Sequence, residues 1–600
     1  MVDDEVKYKK KFIETRKKAE YKEYLDPLQE FKPSKKAEEI MRKGDILAEG
    51  ETPTEMLVRV AEIARDIEKN YFGVDEIEAV EFGQEMLDLF LEKKVVPSTP
   101  IMTNAGRFED RPLSACSVPP VDLNNDFNEI KEKVDTYHRE GMGTGFALDK
   151  AENPIEVLED LQKIAKTGLE TEEQHRPVGN IGVMRIDNPQ IKEFIKIKQQ
   201  NQNEDWKFNL SVNMTDEFME AYYKDGYFEL GEGEKIDCQD LMDLIVKSAW
   251  DCADPGLVFL DNMNKYRPFE SDLNYVSVAP CGEVGLAEGE TCQFASINIA
   301  EFEENEEIIY SDLAQTVKSV TRFLDDVLEY SIEHYSHEES KKAMQKSRKI
   351  GIGLCGYSEL LTSMGLEYDS KEANQILKDG LSFINYVSKE ASMELAQSRG
   401  TFDGWEDSKY SERKTYFLYD KFGGEDTRTV ESDDWLKLDQ EIQEKGLRNS
   451  TTVILPPTGR SALTFDTSQQ IEPMFSLVDR YGRVNEEFRK KLEELDVDCE
   501  NVLEEAYEYG SCQDVDDLPE DFKEVFKTAV EIEYDKHFDV LIEAQKFVDE
   551  SVSKTINLPK DISPETIEDI YVKAHRAGLN GITVYRNGSS EEQPMDLKEE

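Results

Sequence analysis

The sequence predicts an α/β fold, and three observations carry that expectation. Short strand-like pieces bounded by Gly and Pro (VVPSTPIMTNAG, LSACSVPPV, GMGTGFAL, NIGVMRI, FNLSVNM) begin at Val95. They alternate with amphipathic helical patterns (NPQIKEFIKIKQQ, TDEFMEAYYKDG, CQDLMDLIVKSAWD), the order in which strands and helices share one core. A hydrophobic content of 38% and an aromatic content of 10% over 600 residues suffice for a large core.

The elements follow in order. Residues 1–94 form a charged, helical N-terminal region, in which AEIARDIEKNYFGVDEIEAVEFGQEMLDLFLEKK spaces its apolar residues at the helical period. Residues 95–590 read as one large α/β domain, without internal repeat or low-complexity linker. Within it, about 311–400 is a long helical stretch, containing SDLAQTVKSVTRFLDDVLEYSIEHY. A strand and a Gly-containing turn follow at STTVILPPTGRSAL, and residues 482–555 are acidic and mostly helical. An acidic tail, residues 591–600, ends the chain. No run of about 18 apolar residues occurs, so no membrane-spanning helix is expected. The start, MVDDEVKYKKKF, lacks the apolar stretch of a signal peptide, which points to a cytoplasmic protein.

There are 129 acidic against 72 basic residues, a formal net charge of −57. That field repels nucleic acid and anionic membranes, so neither is expected as a partner. The acid is spread along the whole chain, which favours halophile-like solubility in a salty cytoplasm over one acidic docking face. A phosphorylated substrate must enter against this field, so local cations and backbone N–H groups have to hold its phosphates.

The eight cysteines include no Cys-x-x-Cys, so no zinc ribbon or thioredoxin motif is written locally. Cys355, within the apolar IGIGLCGYSELL, reads as a small buried hydrophobe. Cys281 differs: it lies in APCGEVGLAEGETC with Glu283 two positions on. If the segment is extended, residues i and i+2 face one side, placing a thiol beside a carboxylate. A thiol can exchange a hydrogen atom with carbon, and a carboxylate can take a hydroxyl proton. Taken alone, such a loop is more often a plain turn. Cys116 in PLSACSV and Cys292, eleven residues beyond Cys281, add two thiols that together can supply two electrons by closing to a disulfide. Spacing alone leaves open whether they meet, or are simply buried apolar residues. The run Pro457-Thr458-Gly459-Arg460-Ser461, between a strand and a helical start, reads as either an anion site or an ordinary helix cap. GMGTGF completes no dinucleotide fingerprint, and His334 and His337, one turn apart on a helix, lack a third ligand, so no metal site is expected.

In order, these pieces resemble the large, catalytic subunit of ribonucleotide reductases from about residue 80 to 590. The blocks are VVPSTPIMTNAG, LSACSV, GMGTGF, FNLSVNMTDEFMEA, DPGLVFLDNMNK, PCGEVGL…GETCQFASINI, RKIGIGLCGYSELL, PPTGRSAL…IEPMF and GLNGITVYRNGS. The resemblance implies a ten-stranded α/β barrel with a central finger loop, an N-terminal helical cap and helical outer layers. It implies that Cys281 is a transient thiyl that abstracts the ribose 3′ hydrogen and that Glu283 deprotonates the 3′ hydroxyl. Cys116 and Cys292 would be the reducing pair. Ser114, Ala115, Asn209 and Ser211 would line the substrate site, with Thr458, Gly459, Arg460 and Ser461 around its phosphates. The implied reaction is reduction of ribonucleotides to 2′-deoxyribonucleotides for DNA synthesis. A homodimer and a thioredoxin- or glutaredoxin-like reductant are the implied partners.

The PCGE wording and the GITVYRNGS ending resemble the adenosylcobalamin-dependent class. The oxygen-dependent class has adjacent tyrosines there, whereas Tyr585 follows Val584; the glycyl-radical class needs a C-terminal glycine loop, and EEQPMDLKEE offers none. Four departures cluster at substrate-reading positions. Ala279 replaces an Asn that bonds the ribose, a loss costing roughly 1–3 kcal/mol if unreplaced. EEQHRPVGN replaces an Arg- and Gly-rich specificity loop, Arg460 replaces a small hydroxyl residue, and no C-terminal cysteine pair is present. Two alternatives therefore stand beside the reductase: a thiyl-radical enzyme of the same family acting on another ribosyl or hydroxylated substrate, and a non-catalytic relative serving as a partner.

Overall fold

The computed structural model describes residues 25–108, 110–170, 178–201, 204–411, 416–478, 484–495 and 497–589. Most of EEQHRPVGN, the acidic tail and the first 24 residues lie outside them. Among the described residues, the N-terminal region comprises helices α1 (Lys35–Lys43), α2 (Pro53–Asn70) and α3 (Glu76–Leu91). Helix α2 starts at a capping box in which the Thr52 hydroxyl accepts from the Glu55 N–H and Glu55 accepts from the Thr52 N–H. Its buried Met56, Leu57, Val60, Ala61, Ala64 and Ile67 recur at helical spacing. They join one apolar core that continues through the strands to Val584, so the cap and the barrel share their interior.

Strand β1 (Val95–Pro97) belongs to the second half of the wall, whereas the first half is made of β2 (Cys116–Ser117), β3 (Gly143–Ala147), β4 (Asn180–Arg185), β5 (Asn209–Asn213) and β6 (Gly256–Val258). Helices α4 (Phe127–Arg139), α5 (Pro154–Glu170), α6 (Ile191–Gln200) and α7 (Cys238–Cys252) lie between successive members of β2–β6. Strands β2 to β6 pair in parallel in chain order, as strand–helix–strand repeats require. Next comes a hairpin, β7 (Ser277–Val278) and β8 (Gly285–Leu286), and then β9 (Thr291–Cys292) and β10 (Phe294–Asn298). Beyond helix α8 (Tyr310–His334) lie β11 (Gly351–Cys355), helix α9 (Lys371–Arg399), the short helix α10 (Gly459–Thr464), β12 (Thr555–Leu558), helix α11 (Pro564–Arg576) and β13 (Gly581–Arg586).

One sheet runs β9-β2-β3-β4-β5-β6-β13-β12, with antiparallel seams at β9/β2 and β6/β13. A second runs β1-β10-β11. Single parallel bridges, Ile352 to Val453 and Leu455 to Val552, carry the pairing from β11 towards β12. Counted as ladders, the wall is an eight-stranded and a three-stranded sheet rather than ten continuous strands. The cause is visible at 452–453, where the Asp549 carboxylate takes the N–H groups of Thr452 and Val453 (2.7 and 2.9 Å). Pro456 and Pro457, which have no N–H, then end the segment.

Two other expectations need correction. The stretch 311–400 is not one helical run, because β11 interrupts it: Gly351 and Gly353 let Ile454 and Pro456 approach the backbone, which a side chain there would block. His334 and His337 do not share a helix. Helix α8 ends at His334, where the ring stacks on Tyr330, and His337 precedes the next helix and stacks on Tyr137. Among the described residues, no helix is long and apolar enough to cross a membrane.

Candidate functional site

The β7–β8 hairpin projects between the two halves of the wall, and glycines make the room for it. A methyl on Gly145 would collide with the Val278 carbonyl oxygen, and one on Gly143 would stand 2.7 Å from the Gly179 carbonyl oxygen and 3.1 Å from Pro280 Cγ. On the other side, Lys349 Nζ donates to the Gly285 carbonyl (2.9 Å) and the Ser551 N–H donates to the Glu283 carbonyl (3.1 Å). The hairpin is thus held from both half-walls, with Cys281 in its turn.

The 279–283 segment is a tight turn rather than the extended run expected. The Gly282 N–H donates to the Ala279 carbonyl (2.8 Å), the Ala279 N–H donates to the Val284 carbonyl (3.0 Å), and Gly282 has φ +78°. Pro280 presets the first corner, and glycine alone takes that positive φ without strain. Cys281 and Glu283 nevertheless remain neighbours, because the Glu283 carboxylate folds back onto backbone N–H groups that include that of Cys281.

Cys281 is exposed to a cavity of about 1070 Å³, although protein atoms surround that position closely enough to desolvate a charge there. Burial, then the Glu283 carboxylate, push its thiol far above the usual range, so it is held as S–H. Glu283 is 2% exposed, its Oε2 has no hydrogen-bond partner among the described residues, and burial pushes its carboxyl up to about 7. Asn209 and Ser211 on β5 share the cavity wall with Cys281, and Asn209 Nδ2 donates to the Pro280 carbonyl (3.0 Å), steadying the turn.

Cys116 and Cys292 are direct partners across the β2/β9 seam. Both are thiols; Cys116 is half-buried and Cys292 buried. Cys116 Sγ lies 3.3 Å from where a Gly143 Cβ would be, the position that Pro280 also crowds. Cys292 packs in one apolar cluster with Ala115, Ala279 and Val284. The two cysteines and Glu283 therefore sit behind the turn, while the cavity meets Cys281 from the side of β5, β6 and β13. Ser114 is buried, and its hydroxyl is engaged with Tyr335 (2.7 Å) and Gln293 (3.2 Å).

The 458–461 turn flanks the cavity without entering its wall, which includes Pro457 and Gln470. Thr458 Oγ1 accepts from the Gln470 N–H (2.9 Å), and the Ser461 hydroxyl donates to the Thr458 carbonyl (2.6 Å). Gly459 opens α10, and Arg460 is turned away towards Gly44, beyond the C-terminus of α1.

Sequence reasoning missed a buried charged group behind the hairpin. Lys349 Nζ lies 3.2 Å from Glu550 Oε1 and 3.5 Å from Glu290 Oε2, and 4.2 Å from the Tyr275 ring centroid. Tyr275 donates to Glu550 Oε1 (2.6 Å). One signal was available: Glu290 stands two residues before Cys292, and Lys349 opens an otherwise apolar strand run.

Comparison with known proteins agrees with this architecture. The family described as ribonucleotide reductase, barrel domain, matches residues 145–585. A vitamin B12-dependent ribonucleoside-diphosphate reductase of Thermoplasma acidophilum is 32% identical over 530 residues, 83% of this chain; the chain spans 64% of that relative's length. One from Mycobacterium tuberculosis is 28% identical over 543 residues, covering 86% of this chain and 73% of the relative. Among solved structures, the class Id ribonucleotide reductase alpha subunit of Actinobacillus ureae superposes with a TM-score of 0.71 at 20% identity, covering 93% of this chain and 98% of that one. A central hairpin cradled by glycines between two half-walls, and a barrel match running from β3 into β13, place the chain in the ribonucleotide reductase barrel domain family.

Proposed function

We propose that the chain reduces ribonucleotides to 2′-deoxyribonucleotides by a thiyl-radical mechanism. The observation that carries this is a protonated thiol, Cys281, at the tip of a hairpin held between the half-walls, with a buried carboxylate beside it and two cysteines paired across the adjoining seam. A thiol kept as S–H suits hydrogen-atom exchange better than ionic attack, which needs the thiolate. Cys281 as a thiyl takes the 3′ hydrogen, and the unpartnered Glu283 Oε2 takes the 3′ hydroxyl proton. The 2′ hydroxyl leaves as water with a proton from the Cys116–Cys292 pair. The other thiol supplies the hydrogen that C2′ gains; closing to a disulfide, the pair supplies the two electrons, Glu283 returns its proton to the 3′ oxygen, and Cys281 returns its hydrogen to C3′ and is again the thiyl. Asn209 and Ser211 line the approach to Cys281, and the 458–461 turn beside the cavity would meet the substrate phosphates through its backbone N–H groups and hydroxyls, with Arg460 turned away.

The names of the relatives support adenosylcobalamin as cofactor, and the cavity fits a large group. It is about 1070 Å³, reaches Cys281, and has in its wall Tyr585, whose hydroxyl is buried without a partner among the described residues. Tyr585, Thr583 and Asn557 would hold it. When bound, adenosylcobalamin supplies the one-electron oxidising equivalent that makes Cys281 a thiyl. A thioredoxin- or glutaredoxin-like dithiol protein as reductant, a homodimer and a cytoplasmic location complete the proposal.

One observation favours a second reading. Ala279 is fully buried in the apolar cluster with Cys292 and offers no side-chain donor to a ribose, which suits a different ribosyl or hydroxylated substrate. An anaerobic assay with adenosylcobalamin, dithiothreitol and each ribonucleoside di- and triphosphate decides between them. Deoxynucleotide that disappears in Cys281→Ser is expected; cofactor cleavage without product from any nucleotide would favour the second reading.

A further inference from the structure

Lys349 is a buried cation beside the hairpin that the proposed chemistry leaves unused. Its side chain is 2% exposed, seated on the Gly285 carbonyl between Val284 and Leu286. Those two residues pack in the same apolar cluster as Cys292. Along 290–292 side chains alternate, so Cys292 shares a face with Glu290, whose carboxylate pairs with Lys349 Nζ at 3.5 Å. The Lys349 carbonyl in turn accepts from Gln293 Nε2, next to Cys292. Backbone and ammonium thus both bracket this one cysteine. Burial opposes the charge of Lys349, but Glu290 and Glu550 outweigh that and keep it protonated.

The ionisable groups near enough to act electrostatically on Cys292 are Glu283, Lys349, Glu550 and Cys281. Burial and the two carboxylates resist a thiolate there; Lys349 is the group that favours one. Cys116, by contrast, is half-buried, whereas Cys292 is 3% exposed.

We infer that Lys349 is a positioning residue that makes re-reduction of the Cys116–Cys292 disulfide directional: an incoming dithiol attacks Cys116, and Cys292 leaves beside the Lys349 ammonium. The inference rests on the proposed pairing of these cysteines. The attacking thiolate bonds to Cys116 Sγ, the Cys116–Cys292 bond breaks, and its electron pair goes to Cys292 Sγ. Cys292 then takes up the proton that the attacking thiol released. The second thiol of the dithiol displaces Cys116, which takes that thiol's proton, leaving the dithiol oxidised and both cysteines reduced.

The test uses the whole chain and needs no turnover. Protein oxidised with diamide is digested and mapped. A Cys116–Cys292 peptide must be present, and its absence would sink the proposed reducing pair itself rather than the direction of attack. Oxidised wild type is then treated with glutathione, quenched in acid and mapped again. Glutathione on Cys116 is expected; glutathione on Cys292 overturns the inference. Reduction by dithiothreitol should slow roughly tenfold at neutral pH in Lys349→Met. The defect should shrink as pH rises, and Lys349→Arg should restore the rate. An unchanged rate in folded Lys349→Met also overturns it, and if that variant does not fold, the wild-type mapping decides alone.

Discussion

At the scale of single residues, the site is defined by what burial does to ionisable groups. Glu283 has its carboxyl raised from 4.5 to about 7 by burial. Between those values the folded protein keeps a proton that the unfolded chain has lost, so this group costs stability progressively as pH rises through the window. Glu283→Gln removes the dependence. Wild type and variant should melt alike below about pH 4, and the variant should be the more stable above pH 8, by about 3 kcal/mol at most. Thermal melts across pH check this, and parallel curves would refute it. The same substitution should abolish deoxynucleotide formation, since an amide cannot take the 3′ hydroxyl proton. Cys281 and Glu283 were legible in the sequence as an adjacent thiol and carboxylate, although the turn that joins them was not. The extended reading failed because the positive φ of Gly282 reverses the chain there. Lys349 was illegible for a different reason: its partners Glu290 and Glu550 stand 59 and 201 positions away, and only packing brings them together.

At the scale of elements, small residues decide what passes between the half-walls. Gly143 and Gly145 alternate on one face of β3, and the hairpin rests on that face. Gly145→Ala should push the hairpin off its seat. Overpacking of this kind costs about 1–3 kcal/mol, while the displaced Cys281 should cost most of the activity; a variant with wild-type turnover would show that the seat does not position the thiol. The strands at GMGTGFAL, NIGVMRI and FNLSVNM were read correctly from the sequence, whereas Thr99–Asn104 of VVPSTPIMTNAG is helical and STTVIL makes only single bridges. The long helical stretch was misread because GIGLC has too few residues to reveal its period. A second joint links helices. Asp325 on α8 is fully buried and accepts from Arg348 (2.7 Å), Arg399 (2.8 Å) and Arg448 (3.2 Å). Burial alone would raise its carboxyl; the three guanidinium groups outweigh that and hold it well below the usual range. Its contribution is therefore complete above about pH 4 and is lost as pH falls towards the depressed value. Asp325→Asn should lower stability by about 3–5 kcal/mol at pH 7, measured by urea unfolding. The deficit should narrow in acid.

At the scale of the whole molecule, the net charge of −57 is a self-repulsion that the fold must overcome. Salt shortens the screening length from about 10 Å at 0.1 M to about 3 Å at 1 M. The thermal midpoint should therefore rise from 0.1 to 1 M KCl, and a flat or falling midpoint would remove the salt-adapted reading. The sequence by itself determined the order of strands and helices, the glycine-bounded pieces of the wall and the thiol–carboxylate pair, because each is written within a few adjacent residues. Only the tertiary structure decided that Cys116 faces Cys292, that Arg460 turns towards Gly44, and that Lys349 stands behind the hairpin. Those outcomes depend on strand register and on which buried charges must find partners, and both are settled by contacts between residues far apart in the chain.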